Sequence, residues 1–393
     1  MSAESDIATS ARPRPLPLRW YVMRFVDWLV RLCPLPAQRR GVLVVIADSG
    51  LGDVTLAHVA ISRYPEILGI PAGAITIIGT QPAQSLAPLI FPDMPFRLID
   101  EISFHRHPLY RLRFAIWLRR RGFAVAICGS YMRKPMVCDA LIELSAAPRQ
   151  IVVRPYTTAK TQRMFERYLQ RRNIEIVDGG AYPTAEIERH ARMLSAVAKR
   201  SIPLSPPRVA WPAQRAADLP PRYAVIAAAA SSSDKCWPIE NYLIVADTLA
   251  RQGLAIVFIG GSGDTTLKQA LHNADPLGRF IDRIGATKLP ALFDLLAGAT
   301  LVVANDTGPA HLAIALARPT IVILGGGHFG ANFPYPEAAT PRGTYVLYHE
   351  MPCYHCHWIC TQPRHTGRPV PCIDAVTVEE VLAAIDASPA TMA

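Results

Sequence analysis

Four short loops hold the residue types that could do chemistry. Asn305-Asp306-Thr307-Gly308 ends an apolar run and is followed by Pro309 and an apolar stretch of helical spacing that contains His311. Pro309 suits a first helical turn, where its missing N–H costs nothing. Asp306 or Thr307 can cap that helix. Gly308 lets a ligand approach the backbone. A helix N-terminus offers unpaired N–H groups and partial positive charge, which fit an anion such as phosphate. On spacing alone, an ordinary capped strand-to-helix turn remains the alternative.

The second loop, Ser231 to Pro238, reads "SSSDKCWP". Ser231 and Ser232 bring hydroxyls, and Lys235 brings a point charge that can neutralise phosphate or simply face solvent. The third, "GGSGD" from Gly260 to Asp264, has glycines for close approach and a carboxylate, Asp264, that can accept ribose hydroxyls; a flexible turn is the other reading. The fourth, "SGLGDV" from Ser49 to Val54, opens a helix at Asp53. That carboxylate is either a helix cap or a general base for a hydroxyl. His58, one turn on, reads as structural. The dinucleotide fingerprint lacks its third glycine, and neither a Walker lysine loop nor a serine elbow occurs.

Near the C-terminus, Cys353, Cys356, Cys360 and Cys372 cluster, with His355, His357 and His365 among them. Four thiolates can close a tetrahedral zinc or iron site. Reduced thiols and disulfides are the alternatives. Such a metal would be structural, because four cysteine ligands leave no open position. The other four cysteines are scattered and read as reduced.

The elements that must position these loops alternate. "GVLVVI", "AITIIGT", "FRLIDE" and "FAVAICGS" read as strands separated by helical stretches, and "YAVIA", "LAIVFIGG", "TLVVAN" and "PTIVILGG" repeat the plan. Alternation of this kind predicts parallel α/β sheets with ligands at the carboxyl ends of the strands. Residues 151–199 read as mostly helical. The organisation expected is a leader and amphipathic helix (1–40), a first domain (41–205), a Pro-rich linker (206–222), a second domain (223–376) that includes the Cys-rich segment 353–372, and a C-terminal helix and tail (377–393).

The chain has 393 residues, half of them apolar, and a net charge of +10 carried mostly by arginine. That balance allows a large core and suggests an anionic partner, or else a solvated basic surface. Nucleic acid is not expected: basic residues lie on amphipathic helices such as Tyr110 to Arg121, and no recognition motif is present. Leu18 to Cys33 is apolar but broken by Arg19, Arg24, Asp27 and Arg31, so it reads as neither a membrane span nor a signal peptide. It is an amphipathic helix that packs on the body or lies on a membrane surface. Cytoplasmic is the default location, with peripheral association at the inner membrane as the variant.

Taken together, "NDTGPAHLAIALARPTIVILGG", "SSDKCWP" and "SGLGDV" resemble the conserved blocks of the family 9 glycosyltransferases, the ADP-heptose:lipopolysaccharide heptosyltransferase group. The likeness runs from about Gly41 to Ile385, and its first block is the specific one. It implies an α/β chain of GT-B fold, two Rossmann-like parallel-sheet domains facing a central cleft, the first on the acceptor side and the second binding the donor. It implies inverting transfer from an ADP-sugar to a lipopolysaccharide-core or other glycan, with no essential catalytic metal. Asp53 would then be the general base. Ser231, Ser232 and Lys235 would bind donor phosphate. Asp306, Thr307 and Gly308 would bind donor sugar and diphosphate, with His311 close by. Asp264 would meet the ribose, and Thr287 or Leu289 the adenine. Some members also carry cysteines near the C-terminus. The loop "GHFGANFPYP" and the leader depart from the family pattern, which bears on the identity of the sugar. Two other readings compete: transfer to a protein hydroxyl, and a non-catalytic nucleotide-sugar binding protein.

Overall fold

The computed structural model describes residues 13–47, 50–212, 218–365 and 367–388. The first twelve residues of the expected leader, Ser49 of the fourth loop, residues 213–217 of the Pro-rich stretch and the tail 389–393 lie outside the described residues. The chain divides into two compact units, Met1–Gly180 with Glu188–Pro203, and Ala181–Ile187 with Leu204–Ala393.

The first unit holds β1 (Gly41–Val45), β2 (Ile75–Gly79), β3 (Phe96–Leu98), β4 (Phe123–Cys128), β5 (Arg149–Val153) and β6 (Ile174–Val177), in the order β3-β2-β1-β4-β5-β6. The second holds β7 (Tyr223–Ala227), β8 (Ala255–Gly260), β9 (Ile281–Ile284), β10 (Leu301–Asn305), β11 (Thr320–Ile323) and β12 (Thr344–Leu347), in the order β12-β11-β10-β7-β8-β9. Every pairing is parallel. The central strands are buried on both faces, so they read as continuous apolar runs rather than alternating ones. Both sheets share one topology, with the strand order reversing between β1 and β4 and between β7 and β10. A crevice at the carboxyl ends of such a pair is where ligands bind in open α/β sheets.

Three expectations change, and one of two alternatives is met. Residues 151–199 are not mostly helical: they include the end of β5 and all of β6, whose short runs "IVV" and "IEIV" are hidden among helix-forming neighbours. The stretch 206–222 is not a free linker. Val209 N–H bonds Ala315 O at 2.9 Å, and Trp211 packs at a tilt against Phe293 and donates to Asp294 at 2.8 Å, so residues 209–211 are held on the second unit. The C-terminal helix Val378–Asp386 is part of that unit too, since it buries Val381, Ala384 and Ile385 in the core that surrounds Trp237. In turn, the helix Leu18–Val30 belongs to the body of the first unit, with Trp20, Met23 and Val30 in its core.

Candidate functional site

The loops after β7 and β10 meet at the point where the second sheet reverses its order. Asn305 fastens them together. It ends an otherwise apolar strand and is buried. Its Oδ1 accepts the Trp237 N–H at 3.0 Å, and its Nδ2 donates to Ala228 O at 2.7 Å. Replacing it with leucine would orphan both backbone groups, at a cost of about 2–4 kcal/mol. The sequence signal was a lone polar residue closing "LVVA", and its structural role was not foreseen. Trp237 anchors the loop from below: it is fully buried, edge-on to Tyr242, and donates to Val376 O at 2.8 Å.

Above that anchor, Lys235 donates to Ser231 Oγ at 3.2 Å and lies 4.4 Å from the Trp358 ring centre. Burial lowers its pKa, partly offset by the Asp306 carboxylate. Trp358 comes from the Cys-rich segment, which folds over the glycine loop after β11. His355 and His357 donate their backbone N–H groups to Gly326 O and Gly327 O at 2.8 and 3.0 Å, and Gly326 N–H reaches Cys372 Sγ at 3.3 Å. A Cβ on Gly326 would stand 2.1 Å from Tyr354, and one on Gly327 2.4 Å from Trp358. The glycines are therefore required by this cover, a relation no spacing rule could show.

Thr307 is the extended residue before the helix Gly308–Ala315, but its hydroxyl donates to Asn305 O at 3.2 Å and makes no cap to the first turn. Asp306 does not cap it either. Its carboxylate faces His311 Nε2 at 3.6 Å. His311 is buried, stacked on Phe333 with ring centres 4.1 Å apart, and its Nδ1 lies 2.6 Å from Tyr335 OH. Burial and Asp306 push the Tyr335 phenol up, so it stays protonated and donates to Nδ1. The imidazole proton then sits on Nε2, towards Asp306. His311 is thus a positioning residue for Asp306, and the helix end is left without a side-chain cap.

Ser231, Ser232 and Asp264 line a cavity of about 780 Å³ at the ends of β7 and β8, with Arg368 on its wall. Arg368 pairs with Asp374 at 2.5 Å and was not foreseen. Asp264 also closes its own turn, since its Oδ2 accepts the Gly261 N–H at 2.6 Å. Lys235 adjoins the cavity through Ser231. Thr287 and Leu289 are not part of its lining: Thr287 donates to Arg283 O at 3.3 Å in the loop after β9, and Leu289 starts the next helix.

Asp53 stands in the first unit, in the first turn of the helix Leu51–Ile61, where its Oδ2 accepts the Gly50 N–H at 3.2 Å. His58 is half-buried against Phe91, and burial lowers its pKa to about 4, as a structural histidine requires. Next to this turn, the Ala47 N–H bonds Ser130 Oγ at 3.0 Å across the reversal point of the first sheet. A cavity of about 430 Å³ opens there, lined in part by Glu101, Arg133, Lys134, Tyr156 and Thr161. Arg133 is buried and spoken for, with two bonds of 3.0 Å to Asp139 and others to Ser130 O and Val153 O. Lys134 is exposed and pairs with Glu101.

Among the described residues, no group of three or more His, Cys, Asp or Glu side chains is placed to hold a metal ion. The expected shell of Cys353, Cys356, Cys360 and Cys372 is therefore not assembled, and all four thiols are free. They are neighbours all the same: burial raises the Cys372 pKa, and the other three sulfurs raise it further.

Residues 182–356 match the family described as Glycosyltransferase family 9 (heptosyltransferase). That match lies mostly in the second unit and spans a little under half of the chain. Among curated proteins, lipooligosaccharide heptosyltransferase 2 of Haemophilus influenzae is 36% identical over 94 residues, which are 23% of this chain and 27% of that protein. The match thus spans about a quarter of that relative's length. Among solved structures, ADP-heptose lipopolysaccharide heptosyltransferase II of Escherichia coli aligns with a TM-score of 0.61 at 17% identity, covering 90% of this chain and 98% of that one. The iron-containing dodecameric glycosyltransferase TibC from enterotoxigenic Escherichia coli aligns with a TM-score of 0.52 at 15% identity, covering 90% and 77%. At these identities the structural likeness speaks for the fold alone, and that fold is GT-B, built from two Rossmann-like units.

Proposed function

We propose that this chain moves a sugar, heptose, from an ADP-sugar to a hydroxyl of an anionic glycan or glycolipid of the lipopolysaccharide-core type, with inversion. One observation carries the reading: Lys235 feels the Asp306 carboxylate, two residues before the uncapped helix Gly308–Ala315, and reaches Ser231 on the wall of a cavity of about 780 Å³. In an inverting transfer the acceptor oxygen bonds the anomeric carbon while the bond from that carbon to the diphosphate breaks. Asp53 takes the proton of the attacking hydroxyl. The departing ADP gains negative charge, and the helix end with Lys235 holds that charge more tightly then than in the ground state, which lowers the barrier. The proposal assigns charge neutralisation to these groups and calls on no catalytic metal. Asp264 holds the ribose, and Ser231 joins Lys235 at the phosphates.

Transfer to a protein hydroxyl is the competing reading. An acceptor assay with phosphorylated core glycan against protein substrates separates the two. ADP release with neither would leave a nucleotide-sugar binding protein.

A structural zinc or iron ion would draw Cys353, Cys356, Cys360 and Cys372 together under the glycine loop. Metal analysis of the purified protein checks this, with near-stoichiometric zinc or iron as the expected result.

The donor is tested by thermal shift against ADP-, UDP-, GDP- and CMP-sugars. A ligand that binds only the folded state raises its melting temperature. Selective stabilisation by ADP-heptose is expected, and a preference for UDP-sugars would overturn the donor assignment.

A further inference from the structure

The helix Leu18–Val30 is apolar on two opposite sides. One side packs inward, where Trp20, Met23, Val26 and Val30 are buried in the first unit. Its charges face inward as well. Buried Asp27 accepts two bonds from buried Arg111, at 2.6 and 2.8 Å, while Arg24 and Arg31 reach Glu143 at 2.5 and 2.7 Å. The helix is clamped by these pairs and is not a detachable arm. The alternatives left open by the sequence, packing on the body or lying on a membrane, therefore concern different sides of one helix.

The other side faces outward. Leu18, Tyr21, Phe25, Trp28 and Leu32 each leave more than half of their surface exposed. At 3.6 residues per turn these five fall within one quarter of the helix circumference. Phe25 and Trp28 stack on each other, with ring centres 5.9 Å apart. A continuous outward stripe of this kind marks an interaction surface rather than scattered apolar residues.

The rim of the stripe decides the partner. Arg31 stands at its edge, exposed even as it holds Glu143, whereas Arg19 lies on the opposite side of the helix. The helix Pro108–Arg120 lies alongside, since Arg119 donates to Cys33 O at 2.8 Å, and it adds exposed Arg113 and Arg120. Asp27 is the only acidic residue in either helix, and Arg111 already holds it. A second copy seated on this face about a two-fold would set arginine against arginine with no carboxylate to relieve it. An anionic lipid surface would neutralise the same rim, and the aromatic stripe suits the boundary between headgroups and acyl chains.

We propose that this face docks on an anionic membrane, with the helix lying in the plane of the surface, its aromatic stripe in the interface and its arginines among the headgroups. Thirteen residues make a helix of about 20 Å, too short to span the bilayer but fitting this posture. The proposal concerns the first unit only and does not depend on which donor the second unit binds.

The test is sedimentation of the full chain with vesicles containing phosphatidylglycerol and with vesicles of phosphatidylcholine alone. Wild type should bind the first and far less of the second. The F25S/W28S variant should lose about tenfold or more in vesicle affinity, because two large apolar side chains no longer leave water. Its melting temperature should hold, because both rings already stand in solvent. R113E/R120E should lose the preference for anionic lipid. Wild-type protein that stays in the supernatant, or F25S/W28S that binds as well as wild type, overturns the proposal. So does a wild-type dimer by light scattering that F25S/W28S splits without any vesicle binding, which would assign the face to a second copy.

Discussion

Two helix starts, one in each unit, follow a strand next to the reversal point of a parallel sheet, and they are finished differently. After β1, the helix Leu51–Ile61 carries its own carboxylate: Asp53 lies in the first turn and accepts the Gly50 N–H. After β10, the helix Gly308–Ala315 has no side-chain cap, because the Thr307 hydroxyl is turned back to Asn305 O and Asp306 is turned to His311. Helix ends attract anions. The first end brings its own, while the second is left to receive one from outside. This contrast separates a place for a base from a place for a phosphate, on two sheets of the same topology.

The strongest way to break the comparison is to remove the carboxylate. Asp53→Ala should lose turnover by about 10² or more while ADP-sugar affinity stays near wild type. A modest loss of stability is expected from the missing cap, about 1 kcal/mol. Turnover that survives intact would leave Asp53 as a cap and nothing else.

The comparison can also be erased from the other side. Thr307→Asp would give the second helix its own anion at the N-cap position. Aspartate is a strong N-cap, so the melting temperature should hold or rise. ADP affinity should fall about tenfold or more, since a carboxylate within a few ångströms would repel the diphosphate. Calorimetric titration reads both variants. If T307D binds ADP as well as wild type, the helix end is not the phosphate site.

Much of this was legible in the residues, and the parts that were not share a cause. Strands such as "LVVAN" and "YAVIA" are buried on both faces and announce themselves as apolar runs, so the two sheets and the loops at their ends could be placed. Pro309 and Gly308 marked the helix start because their backbone limits are local. β5 and β6 were missed because their runs are short and their neighbours favour helix, so only pairing, of β5 with β4 and of β6 with β5, makes them strands. Asn305, Trp358, Arg368 and Tyr335 were missed for a different reason. Each acts through a partner distant in sequence: Asn305 on Trp237, Trp358 on Lys235, Arg368 on the cavity wall, Tyr335 on His311. The inward turn of Arg24, Asp27 and Arg31 belongs here too. The charges were visible as breaks in an apolar run, but Glu143 and Arg111, which draw them inward, lie more than 80 residues away in the chain.

Lys235 offers the finest adjustment of the contrast between the two helix ends. The positive charge near the second helix depends on one ammonium whose pKa is lowered, chiefly by burial. The sign follows from linkage. A bound diphosphate favours the charged lysine, so its pKa rises on binding. Affinity is then full below the free-protein pKa and falls as pH climbs through it, by at most about tenfold per pH unit. Because that pKa is lowered, the decline should begin at lower pH than for an ordinary lysine. Phosphate ionisation is complete well below this range and adds no slope of its own. Lys235→Ala should bind several-fold more weakly at neutral pH and show no decline. Lys235→Arg, whose charge does not titrate here, should also be flat, while the loss of a compact ammonium over Trp358 weakens binding less than alanine does. ADP titrations across the alkaline range read all three proteins. A flat wild-type profile would take Lys235 out of the phosphate site and leave the helix end to hold the anion alone.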